Sequence, residues 1–191
     1  IDAVIGGLSD YAQGLDDDAP LVGWGFDPIF LKTERLSKKH LDQISTTKPI
    51  AILYSNLHLM CVNSVALEMA GFDHTTNAEG VIKGPDGTPT GELQEMAAMF
   101  PVMRRLNIDF RGLSQKETSI RAYADVSRRA GVTTVTDLYS EMEEEDVATM
   151  RRVTGEDSYP LRIVPALGAM SGPKAIADKA EALAKRSTDK L

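Results

Sequence analysis

SQKETSIRAYADVSRRAGVTTVTD, residues Ser114–Asp137, is the stretch that decides the fold class. Ser114-Gln-Lys-Glu117 reads as a capping box, in which the Ser hydroxyl and the Glu carboxylate satisfy each other's orphan backbone N–H groups at a helix start. The helix it opens runs to Gly131 and gives way to a β-branched strand, Val132–Asp137. A second helix follows over about Glu143–Val153, with its carboxylates gathered at the electropositive N-terminus. Leu161–Leu167 reads as another strand and Pro173–Lys185 as an Ala-rich helix. Helices and strands alternating at this spacing have the rhythm of parallel βα units, so the fold class is α/β.

The chain changes character before Leu113. Leu8–Leu15 reads as a short helical remnant, followed by an acidic turn. Val22–Phe26 reads as a strand in which Gly23 and Gly25 leave little bulk beside Trp24. Ser37–Ile44 predicts a short helix, and Ile50–Tyr54 is a continuous apolar run of the kind found in a buried strand. Asn63 or Ser64 can cap a helix through Ala70, with Gly71 just past its end. Val81–Ile82 and Thr90–Leu93 flank Pro85-Asp86-Gly87, where Pro presets φ and Gly accepts a positive one, so a hairpin is predicted. The expected division is an irregular α+β module over residues 1–112 and two βα units over residues 113–191.

Bulk properties narrow the classes of function. With 191 residues, 42% apolar and 26% charged, the chain can bury one core or a core and a satellite. A net charge of −7 argues against non-specific binding to nucleic acid or acidic membranes, both of which need basic patches. Cys61 is the only cysteine, so no intrachain disulfide forms and a reducing, cytoplasmic setting is expected. No signal peptide or bilayer-spanning apolar run is recognised. The abrupt opening at Ile1 and the helical pattern running up to Leu191 suggest a piece of a longer protein.

Three histidines are candidates for chemistry: His40, His58 and His74. None stands at the short spacing of a metal-binding pair, so a metal centre made from this chain alone is not expected. His40, next to Lys38 and Lys39, reads as a solvated helix residue, and His74 as a loop residue. His58 follows the apolar run and precedes Asn63-Ser64, a place where strand ends deliver functional side chains, although on the residues alone a half-buried His capping a neighbouring backbone group is the favoured reading. Glu95 is either a helix-dipole partner or a carboxylate reaching into a site. Asp137, at the predicted strand end, is either a turn residue or a group that orients substrate or ligand. No nucleophilic triad and no phosphate loop is present.

Taken in order, Val22-Gly-Trp-Gly-Phe-Asp27, Pro49–Leu67 and Gly80–Glu95 resemble amidohydrolase family 3, the branch of the metal-dependent hydrolases that includes N-substituted formamide deformylases. The resemblance rests on His58 followed by Asn63, Ser64, Ala66 and Leu67, and on Gly91-x-Leu93-x-Glu95. Ala130–Asp137 and Leu161–Val164 agree in order and spacing. The resemblance implies a partial (β/α)8 barrel carrying an inserted module. Residues 1–112 would lie between the first and second barrel strands, with Val132–Asp137 and Leu161–Leu167 as the second and third.

The family's metal-binding His-x-His strand and its Lys, His, His and Asp are not recognisable in this chain. The intact enzyme would hold zinc or another divalent metal, which activates water against an amide-like C–N bond of a small molecule. The catalytic residues would lie outside the chain. Trp24, His58, Asn63, Glu95 and Asp137 would bind substrate, and the chain alone would neither hold a metal nor hydrolyse. Two barrel strands with open edges would also favour a homodimer or a swapped assembly. Two other readings remain: a non-enzymatic binding module, and a different α/β enzyme with its site at the strand ends after Asp137 and Leu167.

Overall fold

A computed structural model describes residues 1–16, 18–31, 35–109, 117–168 and 172–191. The chain is a mixed α/β protein that divides into two compact units, Ile1–Ile108 and Asp109–Leu191. The predicted capping residue Ser114 and the predicted boundary at residues 112–113 lie outside the described residues.

The first unit is built on a five-stranded sheet of β1 (Leu21–Phe26), β2 (Ile50–Tyr54), β3 (Leu59–Val62), β4 (Val81–Lys83) and β5 (Pro89–Gln94), in the order β1-β2-β3-β5-β4. β1 runs parallel to β2, and the other pairs are antiparallel. All five residues of β2 are buried, as its unbroken apolar run predicts. On one face, Leu21, Leu36, Leu41, Ile50, Ile52, Tyr54 and Cys61 form a continuous core. Phe26 meets Tyr54 edge to face, with ring centroids 4.8 Å apart.

Helix α1 spans Asp2–Ala12, starting earlier than the expected remnant Leu8–Leu15 and overlapping its first five residues. Gly6 and Gly7 weaken its local preference, but Ile1, Ile5, Leu8 and Ala12 fall at helical spacing and pack on the core, and that contact overrides propensity. α2 is a single turn, Lys38–Leu41, shorter than predicted. His40 corrects the expectation of a freely solvated side chain. It is half-buried, and its Nδ1 lies 3.1 Å from the Ser37 N–H and 3.0 Å from the Ser37 hydroxyl, closing the helix N-terminus.

Strand β3 is the element that the sequence reading passed over. The turn leading into it contains no glycine; Leu57 itself takes the left-handed conformation, φ 62°, so the usual turn signal is missing. Helix α3 (Ser64–Met69) follows from Asn63 as anticipated, and Gly71 stands past its end at φ 78°. The β4–β5 hairpin turns through Pro85-Asp86-Gly87, where the Asp86 carboxylate accepts from Thr88 N–H at 3.0 Å. Gly91 in β5 has no room for a side chain, since a Cβ would sit 2.5 Å from the Val62 carbonyl oxygen and 2.7 Å from the Lys38 nitrogen. α4 (Glu95–Arg105) buries Ala98, Met99, Val102 and Met103.

The second unit contains α5 (Glu117–Arg129), β6 (Thr134–Ser140), α6 (Glu144–Thr154), β7 (Arg162–Leu167) and α7 (Pro173–Ala184). β6 and β7 pair in parallel, Thr134 opposite Arg162 through Asp137 opposite Pro165, with α6 between them in sequence. The core is small: Ile120, Ala124, Val153, Tyr159, Leu161 and Ile163.

β6 starts two residues later than expected because Val132 belongs to the end of α5. Gly131 adopts φ 74°, and the Val132 N–H returns to the Ser127 carbonyl at 2.9 Å, which satisfies an orphan acceptor of the helix terminus. The strand also runs on to Ser140, so Asp137 lies within it rather than at its end. Among the described residues, no helix is long and apolar enough to cross a membrane.

Candidate functional site

His58 and Glu95 were singled out separately from the sequence; pairing of β3 with β5 brings them together. The Glu95 N–H donates to the His58 carbonyl at 2.8 Å, and His58 Nδ1 lies 2.9 Å from Glu95 Oε2. A carboxylate can only accept, so this bond places a proton on Nδ1; in that tautomer Nε2 is the acceptor. Upstream, the His58 N–H donates to Asn56 Oδ1 at 3.0 Å, fixing the turn from which the ring projects.

Both side chains are about two-thirds exposed, 67% for His58 and 69% for Glu95. An exposed His–carboxylate contact of this kind contributes only about 0–1 kcal/mol. The backbone beneath it is strained in return. Glu95 stands at φ 63° and Leu57, next to His58, at φ 62°. A non-glycine residue held in the left-handed region costs roughly 1–3 kcal/mol. Strain therefore exceeds what the pair returns in stability, and strain of this kind gathers at functional positions. The neighbouring chain enforces it. Gly80 accepts the Gln94 N–H at 2.8 Å, and a Cβ at Gly80 would lie 2.2 Å from the Gln94 carbonyl oxygen.

The remaining predicted residues are distributed differently. Asn63 is fully buried, and its amide is wholly engaged. Oδ1 accepts from Ile50 N at 3.0 Å and Ala66 N at 3.1 Å, while Nδ2 donates to the carbonyls of Ser45 at 3.0 Å and Lys48 at 2.9 Å. It ties β2, α3 and the loop before β2 together and keeps no group for a ligand. Trp24 is 68% exposed on the edge strand β1. Asp137 is exposed in the second unit and accepts from the Tyr139 N–H at 3.3 Å.

One carboxylate that the sequence reading did not single out is Glu92. It is buried beside Cys61 in the neighbouring strand, accepts from Gln94 Nε2 at 2.8 Å and lies 3.3 Å from Arg35 Nε. Thr90-Gly-Glu-Leu-Gln-Glu95 contains two glutamates at different depths, and only the strand register separates them. Burial pushes the Cys61 thiol and the Tyr54 phenol well above their usual ranges, with the negative Glu92 nearby adding to both shifts.

Among the described residues, no three His, Cys, Asp or Glu side chains converge as the ligands of a metal ion. His58 and Glu95 supply two groups at most, both in a solvent-facing pair, and they do not amount to a structural or catalytic ion site.

The sequence matches the model of the amidohydrolase family over residues 1–191, and the chain belongs to that family. It is 29% identical to Protein LONG AFTER FAR-RED 3 of Arabidopsis thaliana over 136 residues, 69% of this chain and 22% of the plant protein. The crystal structure of an uncharacterized metal-dependent hydrolase from Pyrococcus horikoshii OT3 matches at 16% identity and a TM-score of 0.46, over 95% of this chain and 33% of that one. Another, from Pyrococcus furiosus, matches at 14% identity and the same TM-score of 0.46, over 94% and 34%. The chain thus spans about a fifth of the length of the plant relative and about a third of each hydrolase.

Proposed function

We propose that the chain is part of a metal-dependent hydrolase that cleaves amide-like C–N bonds of small molecules, in the branch typified by N-substituted formamide deformylases. Its own contribution is substrate enclosure by the first unit. Membership in the amidohydrolase family supports the hydrolase reading. The observation that carries the role of the first unit is the His58–Glu95 pair, held on backbone strain that its weak hydrogen bonding does not repay.

In this reading His58 Nε2 accepts a hydrogen bond from a substrate N–H, while Glu95 fixes the tautomer and the ring plane. Trp24 offers an exposed aromatic face to the substrate. Asn63 acts beneath them by fixing the strands that carry His58. Zinc or another divalent ion belongs to residues other than the described ones of this chain. Residues 1–112 would be an insertion between barrel strands, and β6, α6 and β7 a segment of a (β/α)8 barrel. The exposed apolar side chains of β6, Leu138 and Tyr139, favour a homodimer or swapped assembly of the isolated chain; a monodisperse monomer in light scattering would remove that part.

The test is made in the intact enzyme. Losing one substrate hydrogen bond costs about 1–3 kcal/mol, or roughly 5- to 150-fold in kcat/KM. His58→Ala and Glu95→Gln should each lower kcat/KM within that range while leaving bound metal unchanged by elemental analysis. Wild-type kinetics in both variants would make the pair structural. Loss of metal in either would put the pair among the metal ligands and overturn the assignment.

A further inference from the structure

One end of the first unit's sheet carries more than the His58–Glu95 pair. β1, β2 and β5 run in one direction and β3 runs against them, so the ends of β1, β2 and β5 and the start of β3 share a rim. On that rim stand Ile29, in the short 3₁₀ turn Pro28–Phe30 after β1, and Leu57, in the turn between β2 and β3. Ile29 is 79% exposed and Leu57 50% exposed. Two large apolar side chains are therefore left in water at the end of the sheet that holds the pair.

Leu57 is the informative one. Its N–H donates to the Tyr54 carbonyl at 3.0 Å, closing a turn, and the residue itself takes φ 62°. Turns that end in a left-handed residue ordinarily place glycine there, and asparagine tolerates that conformation better than a bulky side chain does. This turn contains an asparagine, but Asn56 stands one position earlier, accepting the His58 N–H at 3.0 Å, and the strained position falls to leucine. An exposed leucine is ordinary, and so is a left-handed glycine. An exposed leucine in the left-handed region is unfavourable on both counts, and glycine would relieve both. The side chain is thus held at a cost to the fold, at the residue next to His58.

We propose that Leu57 is a specificity-determining residue, receiving the hydrocarbon substituent of the amide whose polar group meets His58, with Ile29 extending the apolar surface along the same rim. The inference rests on the reading of the His58–Glu95 pair as a substrate contact, and it narrows the substrate to small amides that carry an apolar substituent. Such a surface discriminates by the hydrocarbon area it removes from water and does not touch the bond that reacts. Its effect therefore depends on the substituent, whereas the effect of His58 does not.

The test compares N-hexylformamide with N-methylformamide as substrates of the intact enzyme. The wild type should favour the hexyl compound by about tenfold or more in kcat/KM. Leu57→Gly should lower kcat/KM for the hexyl compound about five- to thirtyfold and leave the methyl compound within about twofold. Its denaturant midpoint should rise, because glycine accepts the positive φ. Leu57→Met keeps an apolar side chain and should keep the preference, while His58→Ala should lower both substrates alike. If His58→Ala lowers both but Leu57→Gly keeps the hexyl preference, the proposal falls and the reading of the pair stands. Equal losses on both substrates in Leu57→Gly would make the leucine a prop for the turn, and a wild type without preference would remove its role; either overturns the proposal. Wild-type kinetics in His58→Ala would instead overturn the reading of the pair, and the proposal with it.

Discussion

In the first unit the interior strand β2 is buried along its whole length, and Tyr54 of β2, Cys61 of β3 and Glu92 of β5 all lie in the interior. In the second unit β6 leaves Leu138 and Tyr139 largely in water, and many of the charges lie in a surface lattice. There Arg121 bridges Glu117 and Glu156, Arg152 joins Glu117, and Asp125 holds Arg128 and Arg129. One unit keeps ionisable groups by excluding water and the other by pairing them in it. Exposed pairs are screened and individually weak, so most of the holding power of the second unit falls on its small core.

The sharpest way to break this comparison is at Asn63. Asn63→Ala removes four hydrogen bonds at once and strands the buried backbone N–H groups of Ile50 and Ala66 and the part-buried carbonyls of Ser45 and Lys48. The expected loss is about 3–5 kcal/mol, since each stranded group costs roughly 1–3 kcal/mol and some recover water. Denaturant unfolding followed by Trp24 fluorescence measures it. A loss below about 1 kcal/mol would mean that the interior of the first unit is far more forgiving than its burial implies.

A smaller effect of opposite sign is expected at Glu95. Glycine enters the left-handed region freely, so Glu95→Gly should stabilise the first unit by about 1 kcal/mol while removing the partner of His58. A destabilised Glu95→Gly protein would show that the φ of 63° is not a strained arrangement maintained for the side chain.

The mildest test is pH. Burial raises the Cys61 and Tyr54 pKa values in the folded chain, so both hold their protons more tightly folded than unfolded. Their contribution is complete below the unfolded values and fades as pH rises above about 8.5 for the thiol and about 10 for the phenol. In the second unit the Arg121 guanidinium holds the Glu117 and Glu156 carboxyls below their usual range, and Arg128 and Arg129 do the same for Asp125. Their contribution is present above about pH 4 and is lost as pH falls through the lowered folded values. Hydrogen exchange resolved by residue should show alkaline loosening in the first unit and acid loosening in the second. The acid limb should shrink at high salt, and identical pH responses would erase the distinction.

Much of this was legible locally. The buried run Ile50–Tyr54, the Asn63 cap, the Gly71 stop and the Pro85-Asp86-Gly87 turn each carry their signal in adjacent residues. β3 does not, because a leucine occupies the left-handed turn position where a glycine would have announced it. That one omission hid the pairing of β3 with β5, and with it both the meeting of His58 with Glu95 and the burial of Glu92. The start of β6 was misplaced for a related reason: Val132 looks β-branched, but the hydrogen bond that claims it comes from five residues back, in the helix. The role of Asn63 was readable as a cap but not as a latch, since three of its four bonds go to residues 13 to 18 positions away.

The junction of Asn63 with Ser64 has a consequence for chemical ageing. Asparagine followed by a small residue is prone to deamidate, through attack of the next backbone nitrogen on the side-chain carbonyl carbon to close a succinimide ring. In this chain the Ser64 nitrogen gives its hydrogen to Asp42 Oδ1 at 2.9 Å, and the Ser64 hydroxyl donates to Asp42 Oδ2 at 2.8 Å. The attacking atom is therefore engaged elsewhere and aligned with a helix start, while the amide it would attack is held at both ends. The same contacts that join the strands of the first unit to α3 shield its most sensitive peptide junction from slow covalent decay.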